Sequence, residues 1–433
     1  MGIGAAMVTA GCGLAQADSE GAGAGSSASS SSSHSAGPKS SAGKSASKRQ
    51  AARASTGQTR TAQARQVSET HVVPTGYASN SRKPTAPVET PSLLNLAAVN
   101  RRISTKAAAT PPAVDATFTG EPSIIAQVVT AGLRLLKPIV DLVGGNVAGS
   151  GLSVPFITDG IPPFFVTGGL DVKNEEYDGW KVWTLTPPEP TGEVVIGIHG
   201  GSFTLQASIF HWITYANLAR TTGATVIVPL YPLANTAGTG GTAVTVIPVM
   251  ADFIARQVAA HGAENVSVLG DSAGGTIGMA AAQVLISRCA GDQECLDDSL
   301  PSRLVLLSPA LDLSSTNPYV GLIDDPLLDL VGGNVDRTIW TKGLETPDDP
   351  DGTLNPLASP LFGSLDGLPI TTVYAGSMDR TAASVLALQQ KVADLPGTQF
   401  TFELRKGEFH DWMIFPLPDA AAELPGMYDA LGL

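Results

Sequence analysis

Ser272 stands in "VLGDSAGGTIGMAAAQVL", where an apolar strand-like run meets a Gly-flanked serine and then a helix of small residues. The bare spacing Gly270-x-Ser272-x-Gly274 is a weak signal in a chain with 47 Gly, so its context must decide. A strand that stops abruptly before a helix projects a serine Oγ from a strained turn, and small neighbours keep that turn free of clashes. Gly270, Ala273, Gly274 and Gly275 supply them. The helix start adds free N–H groups and the positive end of its dipole. Such a serine suits nucleophilic acyl transfer, which also needs a base, an acid that orients the base, and donors for the oxyanion.

For the base, the histidines are His34, His71, His199, His211, His261 and His410, and only His410 follows Ser272. In the chain order Ser, acid, His it is the sole choice. It sits in "KGEFHDW", just past the last strand-like run; a purely structural histidine is the alternative. For the acid, Asp379 closes "TTVYAGSMD" behind a Gly-Ser turn that frees a side chain, and Asp312 in "SPALDL" is its competitor. For the donors, "IHGGSF" follows the strand-like "EVVIG". Gly200 and Gly201 have no Cβ to hold a ligand away from backbone N–H groups, with the Ala273 N–H as their partner. A lone His-Gly-Gly otherwise reads as a tight turn.

The elements that must position these residues alternate from about residue 179. Strand-like "GWKVWTLTP", "EVVIGIHGG", "ATVIVPLYP", "NVSVLGDS", "SRLVLLSPALDL", "ITTVYAGSMD" and "QFTFELRKGEFH" are interleaved with helix-like segments such as "AVTVIPVMADFIARQVAAHG" and "AASVLALQQKVADLPG". That rhythm predicts an α/β fold, a mostly parallel central sheet with helices on both faces. Two segments fall outside it, 122–145 and 321–343, and share "DLVGGNV" at 141–147 and 329–335. The shared heptapeptide reads as coincidence or as a common helix-ending signal. Both segments are expected either to cap the carboxyl edge of the sheet and line an acyl pocket, or to be ordinary core helices.

Residues 1–110 carry 12 Lys and Arg against 4 Asp and Glu, whereas residues 111–433 carry 14 against 35. The Ser/Ala/Gly-rich stretch over 18–110 has too few apolar groups to offset its ordering entropy and is expected to be disordered. Its positive charge could touch anionic cell-wall polymer or a membrane surface, with a solvated linker as the alternative. Residues 111–433 are long enough for one large catalytic domain, and their acidity argues against nucleic acid as a partner.

Residues 1–17 have a short apolar run ending in Ala15-Gln16-Ala17, which predicts a signal peptide and a secreted or cell-wall-associated protein, although a basic start is missing. Thr9-Ala10-Gly11-Cys12 has some likeness to a lipoprotein box, with Thr a poor fit. Cleavage would leave Cys289 and Cys295, an even pair expected to close a local disulfide, with two free thiols as the alternative. No Cys/His cluster has metal-ligand spacing, and neither metal nor other cofactor is expected. Residues 221–251 are uncharged, but Pro229, Pro232, Pro248 and "AGTGG" are expected to interrupt any helix long enough to span a bilayer.

"HGGSF", "LYPLA", "GDSAGG", "SPALDL", "AGSMD" and "EFHDW", in this order, resemble the hormone-sensitive-lipase-like branch of the α/β-hydrolase fold over roughly residues 180–415. The resemblance implies hydrolysis of carboxylic esters, small-molecule or lipid, through an acyl-enzyme. Ser272 would be the nucleophile, His410 the base and then the acid, and Asp379 its orienter. It implies an oxyanion hole of the Gly201, Ser202 and Ala273 N–H groups, with Gly200 shaping the turn. Two departures bear on substrate choice: the family's third Gly is Ser202 here, and its Tyr-Arg-Leu-Ala-Pro stretch is Tyr231-Pro232-Leu233-Ala234-Asn235. An amidase or peptidase with the same triad, or a catalytically silent binding protein, are the competing readings.

Overall fold

A computed structural model describes residues 118–142, 155, 157–235, 240–331, 337–393 and 395–433. The expected leader over 1–17 and the Ser/Ala/Gly-rich segment over 18–110 lie outside the described residues.

The described residues build one eight-stranded sheet. Its strands are β1 (Asp171–Tyr177), β2 (Trp180–Thr186), β3 (Val194–Ile198), β4 (Thr225–Leu230), β5 (Val266–Asp271), β6 (Arg303–Leu307), β7 (Ile370–Met378) and β8 (Phe400–Phe409). The order is β1-β2-β4-β3-β5-β6-β7-β8, with β1 and β2 antiparallel to their neighbours and β4 to β8 and β3 running parallel. The helices are α1 (Ile124–Leu142), α2 (Phe164–Thr167), α3 (Ile209–Thr222), α4 (Ala243–His261), α5 (Ala273–Cys289), α6 (Gln293–Asp297), α7 (Pro326–Val331), α8 (Ala382–Ala393) and α9 (Pro418–Leu431). β3 and β5 are buried along their whole length, which is why they read as unbroken apolar runs rather than as alternations. One core face joins α4, α5 and α8 to the sheet, and the other joins α3 and α9.

The alternating α/β reading therefore holds, with differences. β1, "DVKNEEY", is a polar edge strand with almost no buried face and so carries no apolar period to read. α9 follows the last expected strand and packs Met427, Tyr428 and Leu431 into the core. Pro248 does not end a helix: it lies inside the 19-residue α4. Its missing N–H deprives only the carbonyl of Val244, a residue 41% exposed at the first turn. By length and composition α4 could cross a bilayer, but half of it is buried inside the protein, where it packs on α5 and the sheet.

The segments 122–145 and 321–343 behave differently from each other. α1 packs on α7, yet Ile124, Val128, Leu135 and Leu142 on it are exposed, and none of its residues lines the cleft beside Ser272. Residues Val320 to Asp324, Leu328 and Asp329 do line one. α1 ends at Leu142 and α7 at Val331, inside the two copies of "DLVGGNV", whose glycines lie outside the described residues.

Cys289 and Cys295 form a disulfide closing a loop six residues apart in sequence, at the end of α5 remote from Ser272. In the chain-entropy picture so short a loop contributes about 2 kcal/mol. Replacing both cysteines with serine should lower the urea unfolding free energy by about that amount and leave ester hydrolysis within twofold. An unchanged unfolding midpoint would contradict this.

Candidate active site

Every candidate residue sits just beyond the carboxyl end of a parallel strand, on the same edge of the sheet: Gly200 to Ser202 after β3, Ser272 after β5, Asp379 after β7 and His410 after β8. Ser272 has φ 49 and ψ −115, a conformation L-residues seldom adopt. Neighbouring glycines make it affordable in space. A Cβ on Gly274 would lie 1.9 Å from the Ile198 carbonyl oxygen, and one on Gly270 would lie 2.7 Å from that of Gly274. Helix α5 therefore presses its first turn onto β3 and β5, and the serine between them is driven outward.

His410 Nε2 is 2.8 Å from Ser272 Oγ, and its Nδ1 is 2.9 Å from Asp379 Oδ1. All three side chains are buried. Asp379 Oδ1 also accepts from the Thr381 N–H at 2.8 Å and the Thr381 hydroxyl at 2.7 Å. A bulge in the β7–β8 pairing between Gly376 and Met378 brings the two strand ends into this register. It requires Gly376, where a Cβ would lie 2.0 Å from the Glu408 carbonyl oxygen. Asp312, the competing acid, instead accepts from the N–H and hydroxyl of Ser314, at 2.8 and 2.5 Å.

Burial opposes a charge on His410, but Asp411, Asp379 and Asp325 outweigh it and push its pKa up to about 10. Asp379 is held below the ordinary carboxylate range: burial works against this, and His410, together with hydrogen bonds from neighbouring hydroxyls, prevails. Asp411, whose Oδ2 is 3.3 Å from His410 Nε2, is raised well above it by burial, against the pull of His410. Neither Asp411 nor Asp325 was singled out by the sequence. Asp325, Asp379 and His410 are also a group of side chains that could hold a metal ion by proximity. Both Asp325 oxygens, Asp379 Oδ1 and both His410 ring nitrogens are already engaged in hydrogen bonds, whereas Asp379 Oδ2 is buried without a partner.

On the donor side, Gly201, Ser202 and Phe203 all have positive φ, at 103, 55 and 64, which folds the loop back beside the serine. The N–H groups of Gly201, Ser202 and Ala273 make no hydrogen bond to another described residue. Gly200, expected to shape the turn, differs: its N–H donates to Asp271 Oδ2 at 2.9 Å and is committed within the protein. A Cβ there would sit 2.3 Å from the same oxygen.

Asp271 is part of an arrangement invisible in the sequence. Its Oδ2 also faces His211 Nε2 at 2.9 Å. His211 Nδ1 receives the Ser208 N–H at 2.9 Å, which fixes the ring's proton on Nε2 and makes it the donor to Asp271. Next door, His199 stacks on Tyr231 at 4.4 Å and is lowered to about 4 by burial and by His211. Its Nδ1–H therefore donates to the Gly200 carbonyl at 2.7 Å. Tyr231, in the stretch that departs from the family pattern, donates to the His199 carbonyl at 2.9 Å.

A cleft of about 620 Å³ opens above Ser272 and His410. Phe203, Leu313, Val320, Leu322, Ile323 and Leu328 give it apolar walls; Asp312, Asp324, Asp329, Arg337 and Arg380 line it as well.

Residues 195–414 match the family model described as alpha/beta hydrolase fold. The chain belongs to the alpha/beta hydrolase fold family. This hydrolase is 36% identical over 334 residues to a triacylglycerol lipase of Mycobacterium tuberculosis, covering 73% of the chain and 67% of that protein. It is 29% identical to an acetyl-hydrolase of Streptomyces hygroscopicus, covering 56% and 77%. A crystal structure of a hormone-sensitive lipase from a metagenome library superposes with a TM-score of 0.54 at 19% identity, covering 72% and 98%, a likeness of fold. The chain shares with these esterase and lipase relatives the hydrolase fold, and it has a Ser–His pair at the strand ends.

Asp271→Asn would keep an acceptor but lose charge assistance, which roughly halves the strength of such bonds. The expected result is a kcat about fivefold lower with KM within twofold in steady-state assays. A kcat equal to wild type would contradict a role for Asp271 in holding the Gly200 turn.

Proposed function

We propose that this chain is an exported serine esterase that cleaves carboxylic esters of short to medium acyl length through an acyl-enzyme, with Ser272, His410 and Asp379 as its triad. The observation that carries the reading is the buried chain of hydrogen bonds from Ser272 Oγ through His410 to Asp379, at 2.8 and 2.9 Å, at the floor of the cleft.

Ser272 Oγ attacks the ester carbonyl carbon as its proton passes to His410 Nε2. The imidazolium is stabilised by Asp379, which already holds Nδ1. The carbonyl oxygen, now an oxyanion, turns toward the N–H groups of Gly201, Ser202 and Ala273, each such donor being worth a few kcal/mol in a site that excludes water. When the tetrahedral intermediate collapses, the C–O bond to the alcohol breaks and the alcohol leaves with the proton from Nε2. Water then repeats the sequence on the acyl-enzyme, releasing the acid and restoring Ser272. The apolar walls supplied by Val320, Leu322, Ile323 and Leu328 suit the acyl chain. An intact hydrogen-bonded chain speaks against a silent binding protein. Export is supported by the Cys289–Cys295 disulfide, a bond that persists in oxidising compartments.

Ser272→Ala should reduce hydrolysis of a nitrophenyl butyrate by about 10⁴-fold or more, and hydrolysis at the wild-type rate would overturn the assignment. The base must be neutral to accept a proton, and surrounding carboxylates raise His410 above its ordinary 6.5, to about 10. The acidic limb of kcat/KM should therefore lie above pH 6.5, with the rate rising into the alkaline range. A limb at or below that value would show that burial, not the carboxylates, prevails.

A further inference from the structure

Asp325 is wholly buried beside the acid–base pair, though nothing in the triad chemistry requires it. One of its oxygens, an Asp379 oxygen and a His410 ring nitrogen all lie within 4.8 Å of one another. Its carboxylate is divided between two tasks. Oδ1 accepts the N–H groups of Leu327 and Leu328, at 3.2 and 3.0 Å, and so caps α7, whose Leu328 and Asp329 line the cleft. Oδ2 accepts the N–H of Arg380 at 2.9 Å, the peptide immediately after Asp379. The Arg380 guanidinium returns to Asp329 on α7 and closes the link.

We propose that Asp325 is a positioning residue for the proposed acid–base pair, tying the cleft wall to the turn that carries Asp379 and adding a second carboxylate that stabilises protonated His410. The inference rests on the reading of His410 as base. A wholly buried carboxylate so close to a ring that becomes positive in the transition state acts where screening by water is least. The charged and titratable groups that face His410 are Asp379 at the end of β7, Asp411 on its own loop, and Asp325 before α7. Asp271 stands behind Asp411 and is paired with His211, and the charge of Arg380 is directed to Asp329. Burial, with Asp379 adding to it, pushes Asp325 up to about 6, so it is ionised through the alkaline range in which the base works.

Asp325→Asn keeps the cap acceptor and removes the charge. With less negative potential around His410, protonation becomes harder, so the acidic limb of kcat/KM should move down by about one pH unit. The kcat at the plateau should fall about tenfold, with KM for a short acyl ester within twofold. Asp325→Ala, which also loses the cap, should raise KM as well. If Asp325→Asn does not fold, Asp325→Ser, which caps a helix without charge, is read in its place; failure of both to fold assigns Asp325 a structural role alone and overturns the proposal. A folded Asn variant with the wild-type limb and kcat overturns it too. Should that occur while Ser272→Ala is inactive, only this inference is lost; an active Ser272→Ala removes the underlying reading with it.

Discussion

The site depends on a close approach of backbone to backbone. Because Gly274 has no Cβ, the first turn of α5 lies against the Ile198 carbonyl, where any side chain would fall 1.9 Å from that oxygen. Ser272 is forced to φ 49, and its Oγ leaves the sheet edge toward His410. The same crowding brings the loop after β3 beside the elbow, where a Cβ on Gly200 would lie 3.0 Å from that of Ser272. A strained turn of this kind persists because the two buried strands and the helix around it over-determine its conformation. Gly376 plays the matching part on the far side, letting β7 and β8 close over their bulge so that Asp379 meets His410.

Charge is the second organising element. Four buried carboxylates, Asp271, Asp325, Asp379 and Asp411, cluster at one edge of the sheet, and two buried imidazoles meet them. Three of the acids have separate partners: the Gly200 N–H and His211 for Asp271, the α7 cap and Arg380 N–H for Asp325, Thr381 and His410 for Asp379. Asp411 has a N–H bound to Ser308 Oγ and an oxygen near His410 Nε2. Burial alone would discharge His410; their combined field keeps a proton favourable there, which is what a base needs at the moment it accepts one.

Much of this was legible in the chain. The alternation of apolar runs predicted the parallel strands, because buried strands and amphipathic helices have distinct periods. The elbow was legible because its steric requirement falls on adjacent residues, and His410 because chain order left no other histidine. Polar β1 was not, since an edge strand with no buried face leaves no period to read. Nor were His211, Asp325 and Asp411, whose roles arise only when distant segments converge: Asp325 reads as one more residue of an acidic, Pro-containing stretch until α7 folds its carboxylate under Arg380. α1 shows the converse: its apolar run suited either a pocket wall or a core helix, and it leaves Leu135 and Leu142 exposed.

The central claim is that one serine, one imidazole and three backbone amides act on one carbonyl. A crystal structure of the protein inactivated by a short alkyl phosphonate tests it most directly. Phosphorus is expected on Ser272 Oγ, with the phosphonyl oxygen within hydrogen-bond distance of the Gly201, Ser202 and Ala273 N–H groups and His410 Nε2 beside the ester oxygen. Phosphorus on another residue, or a phosphonyl oxygen turned away from those amides, would contradict it.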